Sequence, residues 1–236
     1  MELLGMFNKL NDSKYYFALK NSTDNSRCVA ACVAGIINAY KNKSVYKDPV
    51  QLDSFLFRER DIKENTIQAI AAYVLAKEGM QVIMNIPMPV SWAQIYTHGI
   101  DIMGIDAIQY LEKYFNMDNY HKAVKLAYDA GVVMKDDGYR DIKKIINNNN
   151  NSFIMAGVNP FVLYDEASKE IGGHYILIVG LNTKKDEILI SDPGLPYHKE
   201  TVISLSAFNL AWKGNYYSAG ELIIAKKISV SDCTKA

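Results

Sequence analysis

Two distant stretches of this sequence hold residue types that together can run nucleophilic chemistry. Ser26-Arg27-Cys28-Val29-Ala30-Ala31-Cys32 comes early; Gly172-Gly173-His174-Tyr175 and Ser191-Asp192-Pro193-Gly194 come much later. A cysteine supplies a thiolate, and a histidine takes up and returns the proton. A carboxylate fixes the imidazole tautomer and stabilises its charged form. Cys28 is thus the candidate nucleophile, His174 the candidate general base and acid, and Asp192 the candidate orienting residue.

The elements that must position these side chains are legible around them. Val29, Cys32, Val33, Ile36, Ile37 and Tyr40 recur at the three-and-four spacing of a buried helical stripe, which predicts a helix over Arg27 to Tyr40 with Ser26 as its cap. Cys28 then falls in the first turn, where unpaired backbone N–H groups and the positive end of the macrodipole favour an anion. Cys32, one turn further in, is expected to be a packed core thiol. His174 opens an apolar strand expected over His174 to Leu181, and Asp192 closes a strand expected over Glu187 to Asp192. Asn182 to Asp186 reads as the hairpin turn between them, and antiparallel pairing brings both outer ends to one edge of a sheet. The competing reading of Asp192-Pro193-Gly194 is a turn and nothing more, since all three residue types favour turns.

The rest of the chain divides by pattern. A short strand is expected at Tyr15 to Leu19, and a helix over Thr66 to Glu78 stopped by Gly79. Val82 to Ile86 reads as a strand, and further helices are expected at Ile105 to Phe115, Asn119 to Ala130 and Gly138 to Ile146. The five asparagines Asn147 to Asn151 cannot pack as core and read as an exposed turn. Strands follow at Ser152 to Val158, Thr201 to Ser204 and Glu221 to Lys226, with Ser204 to Trp212 a short segment carrying Phe208 and Trp212. Helices first and an antiparallel sheet second give an α+β fold. Residues 1–236 are expected to form one domain, with a mainly helical lobe over 1–146 and a sheet lobe over 152–228.

Composition limits the function classes. The chain has 236 residues, 49% of them hydrophobic, enough for a full core. Lys+Arg and Asp+Glu both number 26, so no net field favours nucleic acid. No apolar run reaches the roughly 18 residues a membrane span needs, and charges interrupt Met1 to Lys20, so neither a span nor a signal peptide is expected. Three cysteines are too few and odd for a disulfide scaffold, and free thiols are expected. His98, His121 and His198 are dispersed and no second ligand pair accompanies Cys28 and Cys32, so no metal site is expected. Glycine-rich nucleotide loops are missing, and no cofactor is expected. Trp92 and Trp212 read as core or cleft wall, and His198, after Pro196-Tyr197, as an exposed loop residue.

Cys28-Val29-Ala30-Ala31-Cys32-Val33-Ala34, with His174-Tyr175 and Ser191-Asp192-Pro193-Gly194, resembles the papain-fold cysteine peptidases of the bacteriocin-processing group and is similar to related papain-like effector proteases of bacteria. The resemblance covers the Cys28 helix and Ser152 to Trp212, and leaves Tyr46 to Gly131 unmatched. It implies a papain-like fold, a Cys28-His174-Asp192 triad in that chain order, and peptide-bond cleavage through a thioester. The family carries a glutamine shortly before the cysteine, whose amide helps bind the oxyanion. No glutamine lies between Met1 and Cys28, so Asn21 or Asn25 would have to serve, with Asn21 the better spaced. Two alternatives stay open: a side-chain amidase or deamidase toxin on the same triad, and an inactive peptide-binding relative. The expected partner is a peptide or protein substrate. Oligomeric state is not specified by the sequence, and the compartment is open between the cytoplasm and export by a dedicated secretion system.

Overall fold

The computed structural model describes residues 7–21, 27–52, 67–85, 117–135, 141–168, 172–194, 196–213 and 220–228. Helices and strands share them in a mixed α+β fold. The helices are α1 (Cys28–Lys41), α2 (Ile67–Lys77), α3 (Met117–Asp129), α4 (Ile142–Asn148), α5 (Pro160–Tyr164) and α6 (Leu205–Lys213). The strands are β1 (Asn8–Lys9), β2 (Met80–Asn85), β3 (Val133–Lys135), β4 (Ser152–Val158), β5 (His174–Asn182), β6 (Glu187–Asp192), β7 (His198–Ser204) and β8 (Leu222–Lys227).

One eight-stranded sheet runs in the order β3-β2-β8-β4-β5-β6-β7, with β1 added against β5. β2, expected as a strand over Val82 to Ile86, pairs with β8 across its whole length, and β2 and β3 pair in parallel, so strands from the first half of the chain join those of the second in a mixed sheet. β3 was not expected, because its three residues are too few for an alternation signal to be read.

β4, β5 and β6 are buried almost end to end, as continuous apolar strands must be when both sheet faces are covered. Their centre holds a local irregularity. The β5–β6 register shifts between Ile178 and Gly180, and the bulged Val179 offers its carbonyl to Leu10 N–H at 2.9 Å. Beside it the buried Tyr16 hydroxyl donates to Ile178 O at 2.8 Å and accepts from Ile154 N–H at 2.8 Å, bridging the last β4–β5 pair.

The stretch Tyr15 to Leu19 is therefore not the expected strand. Its backbone bonds go to other groups: Leu19 N–H to Ala31 O at 3.1 Å, and Ala18 N–H to Ser191 Oγ at 3.0 Å. It crosses α1 at Gly35, where a Cβ would stand 2.1 Å from Phe17 O. Only glycine permits that crossing. It also explains why α1 is buried on every side from Val29 to Ala39 rather than along one stripe.

The remaining expectations place well. α2 ends at Lys77 with Gly79 at φ +89°, a left-handed stop. The asparagine run closes α4 and turns into β4, with Asn151 at φ 64°. Phe208 and Trp212 lie on α6, ring centroids 5.9 Å apart and both fully buried. Among the described residues no helix is long and apolar enough to cross a membrane. The expected cap Ser26, Asn25, the helix at Ile105 to Phe115, Trp92 and His98 lie outside the described residues.

Candidate active site

Cys28 is the first residue of α1, half-buried, and the side chain of its N-cap Arg27 makes no capping hydrogen bond. Anchoring comes from upstream. Asn21 Oδ1 accepts the Arg27 N–H at 2.9 Å, and Asn21 N–H donates to Pro193 O at 2.8 Å. One buried asparagine thus ties the start of the Cys28 helix to the turn that carries Asp192.

The hairpin does what its pattern demanded. β5 and β6 pair antiparallel, so His174 at one outer end and Asp192 at the other meet. His174 Nε2 and Asp192 Oδ1 are 2.6 Å apart, and both residues are buried. Asp192 Oδ1 also accepts the Gly194 N–H at 2.7 Å, so the Asp192-Pro193-Gly194 turn and the histidine contact are one arrangement, not alternatives. A Cβ at Gly194 would lie 2.9 Å from Asp192 Oδ1 and 3.2 Å from His174 Nε2, which makes glycine the residue that fits against the pair. With Nε2 turned to Asp192, Nδ1 is the ring nitrogen left for the Cys28 thiol, which lies close enough to His174 to raise it.

Electrostatics follow from these contacts. Burial opposes charge on His174, but hydrogen bonds to Asp192 and Cys28 and the field of both outweigh it and push the imidazole up to about 10. Burial also opposes charge on Asp192, yet the His174 contact, the Tyr164 hydroxyl and the Gly194 N–H hold its carboxyl below the usual range. Imidazolium and carboxylate are the stable forms at neutral pH. Cys32 differs in every respect: it is fully buried, its Sγ lies 3.4 Å from Tyr175 O, and burial pushes its thiol well up, with Cys28 and Asp192 adding to the rise.

Two residues near this cluster were not expected there from the sequence. Tyr164, the last residue of α5, donates its hydroxyl to Asp192 Oδ2 at 2.5 Å. Asn159-Pro160 is a cap followed by an N1 proline and was the available signal for that short helix; the Asn159 side chain does accept the Phe161 N–H at 3.1 Å. His198, expected in an exposed loop, instead opens β7 opposite Asp192 and is partly buried, its ring 5.7 Å from that of Tyr164. The register shift between Ile190 and Asp192 is what lets the β6–β7 ladder reach that far.

A second buried carboxyl lies behind the same strand end. Glu221, fully buried, accepts from the Tyr175 hydroxyl at 2.5 Å and from Gln68 Nε2 at 3.3 Å, while its carbonyl accepts from Trp212 Nε1 at 3.0 Å. Chemically, the first cluster can hold a thiolate beside an imidazolium whose orientation a carboxylate fixes, while the second ties β5 to the Glu221 end of β8 through Tyr175. No protein-family model matches this chain, and no curated protein is significantly similar to it.

Proposed function

We propose that this chain is a papain-like cysteine peptidase in which Cys28, His174 and Asp192 act as a triad and Asn21 contributes to the oxyanion hole. The observation that carries the reading is the buried His174 imidazole held by Asp192 through Nε2, close enough to a helix-starting cysteine to be raised by it. A thiol nucleophile needs an imidazole held in this way.

The reaction follows from the arrangement. Cys28 Sγ, as thiolate, attacks the amide carbonyl carbon, and the oxygen takes up the negative charge next to the Cys28 backbone N–H. The Asn21 amide, fixed by its bonds to Arg27 and Pro193, supplies the second donor in this reading. The imidazolium gives its Nδ1 proton to the leaving amine as the C–N bond breaks, leaving a thioester. Water then loses a proton to His174, attacks the thioester carbon, and releases the acid and the thiolate.

Two measurements test this. Iodoacetamide labelling with peptide mapping should find Cys28 alkylated fast below neutral pH and Cys32 unreactive in the folded protein. A peptide and protein library read by mass spectrometry should yield cleavage products that vanish with Cys28→Ala. Conversion of side-chain amides without chain scission would move the assignment to a side-chain amidase on the same residues. A slow Cys28 and an inert library would leave a peptide-binding domain.

A further inference from the structure

Asp192 is held from three elements, and one of those contacts has no place in a three-residue account. Its Oδ1 is shared by His174 Nε2 and Gly194 N–H, at 2.6 and 2.7 Å, while its Oδ2 receives the Tyr164 hydroxyl at 2.5 Å. With donors on both oxygens the carboxylate plane is fixed, and so is the ring that leans on it. Tyr164 comes from α5, on the connection between β4 and β5, whereas Asp192 ends β6.

That reach is engineered into the fold by several local contacts. α5 starts on the Asn159 cap with Pro160 in its first turn, and Asn159 N–H is bonded to Ala211 O of α6 at 2.9 Å. Tyr164 sits at the other end, its residue surface 52% exposed, although its hydroxyl contacts a carboxyl that is 2% exposed. The ring edge therefore faces out and the polar tip faces in. The ring of His198, opposite Asp192 in the ladder, flanks it.

We infer that Tyr164 is a positioning residue of this site, a latch from α5 whose hydroxyl fixes the Asp192 carboxylate and through it the His174 imidazole. The inference rests on the triad reading above and adds a fourth residue to it. Tyr164 suits the role because burial and the Asp192 charge both raise its own ionisation, so it remains a donor across the working range. A donor on Oδ2 also favours the ionised carboxyl. Among the described residues, the other titratable groups around the pair are His174 on β5, Cys28 and Cys32 on α1, and His198 on β7 against the Tyr164 ring.

Tyr164→Phe removes the hydroxyl and keeps the ring. Turnover should fall about tenfold to a hundredfold, the scale of one hydrogen bond to a charged group, with KM unchanged. Losing a donor makes Asp192 easier to protonate, so the acid-side change in the His174 ring signals of 15N-histidine-labelled protein, titrated by NMR, should move to higher pH. Unchanged turnover with an unchanged His174 titration would overturn the inference, and so would a loss of thermal stability alone. The NMR titration needs no substrate, so it separates the two claims. Wild-type protein inert towards amides, with a His174 titration that still moves in Tyr164→Phe, sinks the peptidase reading and leaves Tyr164 as the residue that positions the pair.

Discussion

His174 and Tyr175 are neighbours on β5, and each gives a ring donor to a buried carboxyl. The contacts are alike in length, 2.6 Å from His174 Nε2 to Asp192 and 2.5 Å from the Tyr175 hydroxyl to Glu221. Successive strand side chains leave on opposite faces, so one strand end serves two separate clusters. Their difference lies in what the donor can do. Tyr175 is pushed well above its ordinary value by burial and then by Glu221, so its proton stays in place at any physiological pH. His174 has a second ring nitrogen and a half-buried thiol close enough to raise it, and the proposed reaction uses both of its protonation states. A buried carboxyl with a ring donor is therefore not a functional signal by itself. The signal is a donor that can give up its proton next to a nucleophile.

The largest expected effect breaks the reactive side of that comparison. Cys28→Ala should abolish turnover, while Cys32→Ala, a change in the packed interior, should keep most of it and cost about 1 kcal/mol of stability. Equal losses of turnover in two folded variants, checked by circular dichroism, would undo the distinction between the thiols.

Next in size is Asp192→Asn, with turnover expected to fall roughly 10²- to 10⁴-fold. Its effect on stability has a defined pH dependence. His174 is raised by folding, so its contribution is fully present below about 6.5 and fades as pH rises through about 10. Asp192 is lowered by folding, so its contribution is present above about 3.9 and fades as pH falls through its depressed value. The gap in unfolding free energy between wild type and Asp192→Asn should thus be widest between roughly pH 4 and 6.5 and narrow toward both extremes. Urea unfolding at a series of pH values measures it, and a gap that widened toward pH 10 would contradict the charged pair.

Asn21 offers a test that separates two roles of one side chain. Asn21→Ala removes both the acceptor for Arg27 N–H and the amide donor, whereas Asn21→Asp keeps an acceptor and loses the donor. If the NH2 group binds the oxyanion, both variants should lose roughly 100-fold in turnover with little change in KM. Normal turnover in Asn21→Asp beside a poor Asn21→Ala would reduce the residue to a helix anchor.

Much of this frame was legible before any coordinates. Ser152–Val158 and Glu187–Asp192 match their expected bounds, and β5 runs one residue past Leu181, because apolar runs bounded by turn residues leave few choices. The meeting of His174 with Asp192 needed only that hairpin. What stayed hidden depends on contacts between segments far apart in sequence. Tyr164 reaches Asp192 from a five-residue helix too short to show periodicity. Tyr15 to Leu19 looks like a strand by composition, but its partners are a helix carbonyl and the Ser191 hydroxyl, which no local pattern encodes. Glu221 reads as the polar start of a strand, and its burial comes from Tyr175, Gln68 and Trp212 converging on it.

The smallest expected effect on turnover comes from the silent half of the comparison. Tyr175→Phe keeps the ring that packs at the start of β5 but takes the donor from Glu221, which is fully buried. Gln68 still reaches the other oxygen at 3.3 Å, so the carboxyl keeps a donor. A buried polar group losing one partner costs about 1–3 kcal/mol, and that loss should appear in thermal or urea unfolding. Turnover should be nearly unchanged at temperatures where the variant is folded, because His174 keeps Asp192 and Cys28 as its partners. Glu221→Gln should restore part of the lost stability in the Tyr175→Phe background, since a neutral amide tolerates the missing donor better than a carboxylate does. A large fall in turnover for Tyr175→Phe, with unfolding unchanged, would mean that the two clusters are coupled through β5 and that the division between reactive and structural carboxyls is wrong.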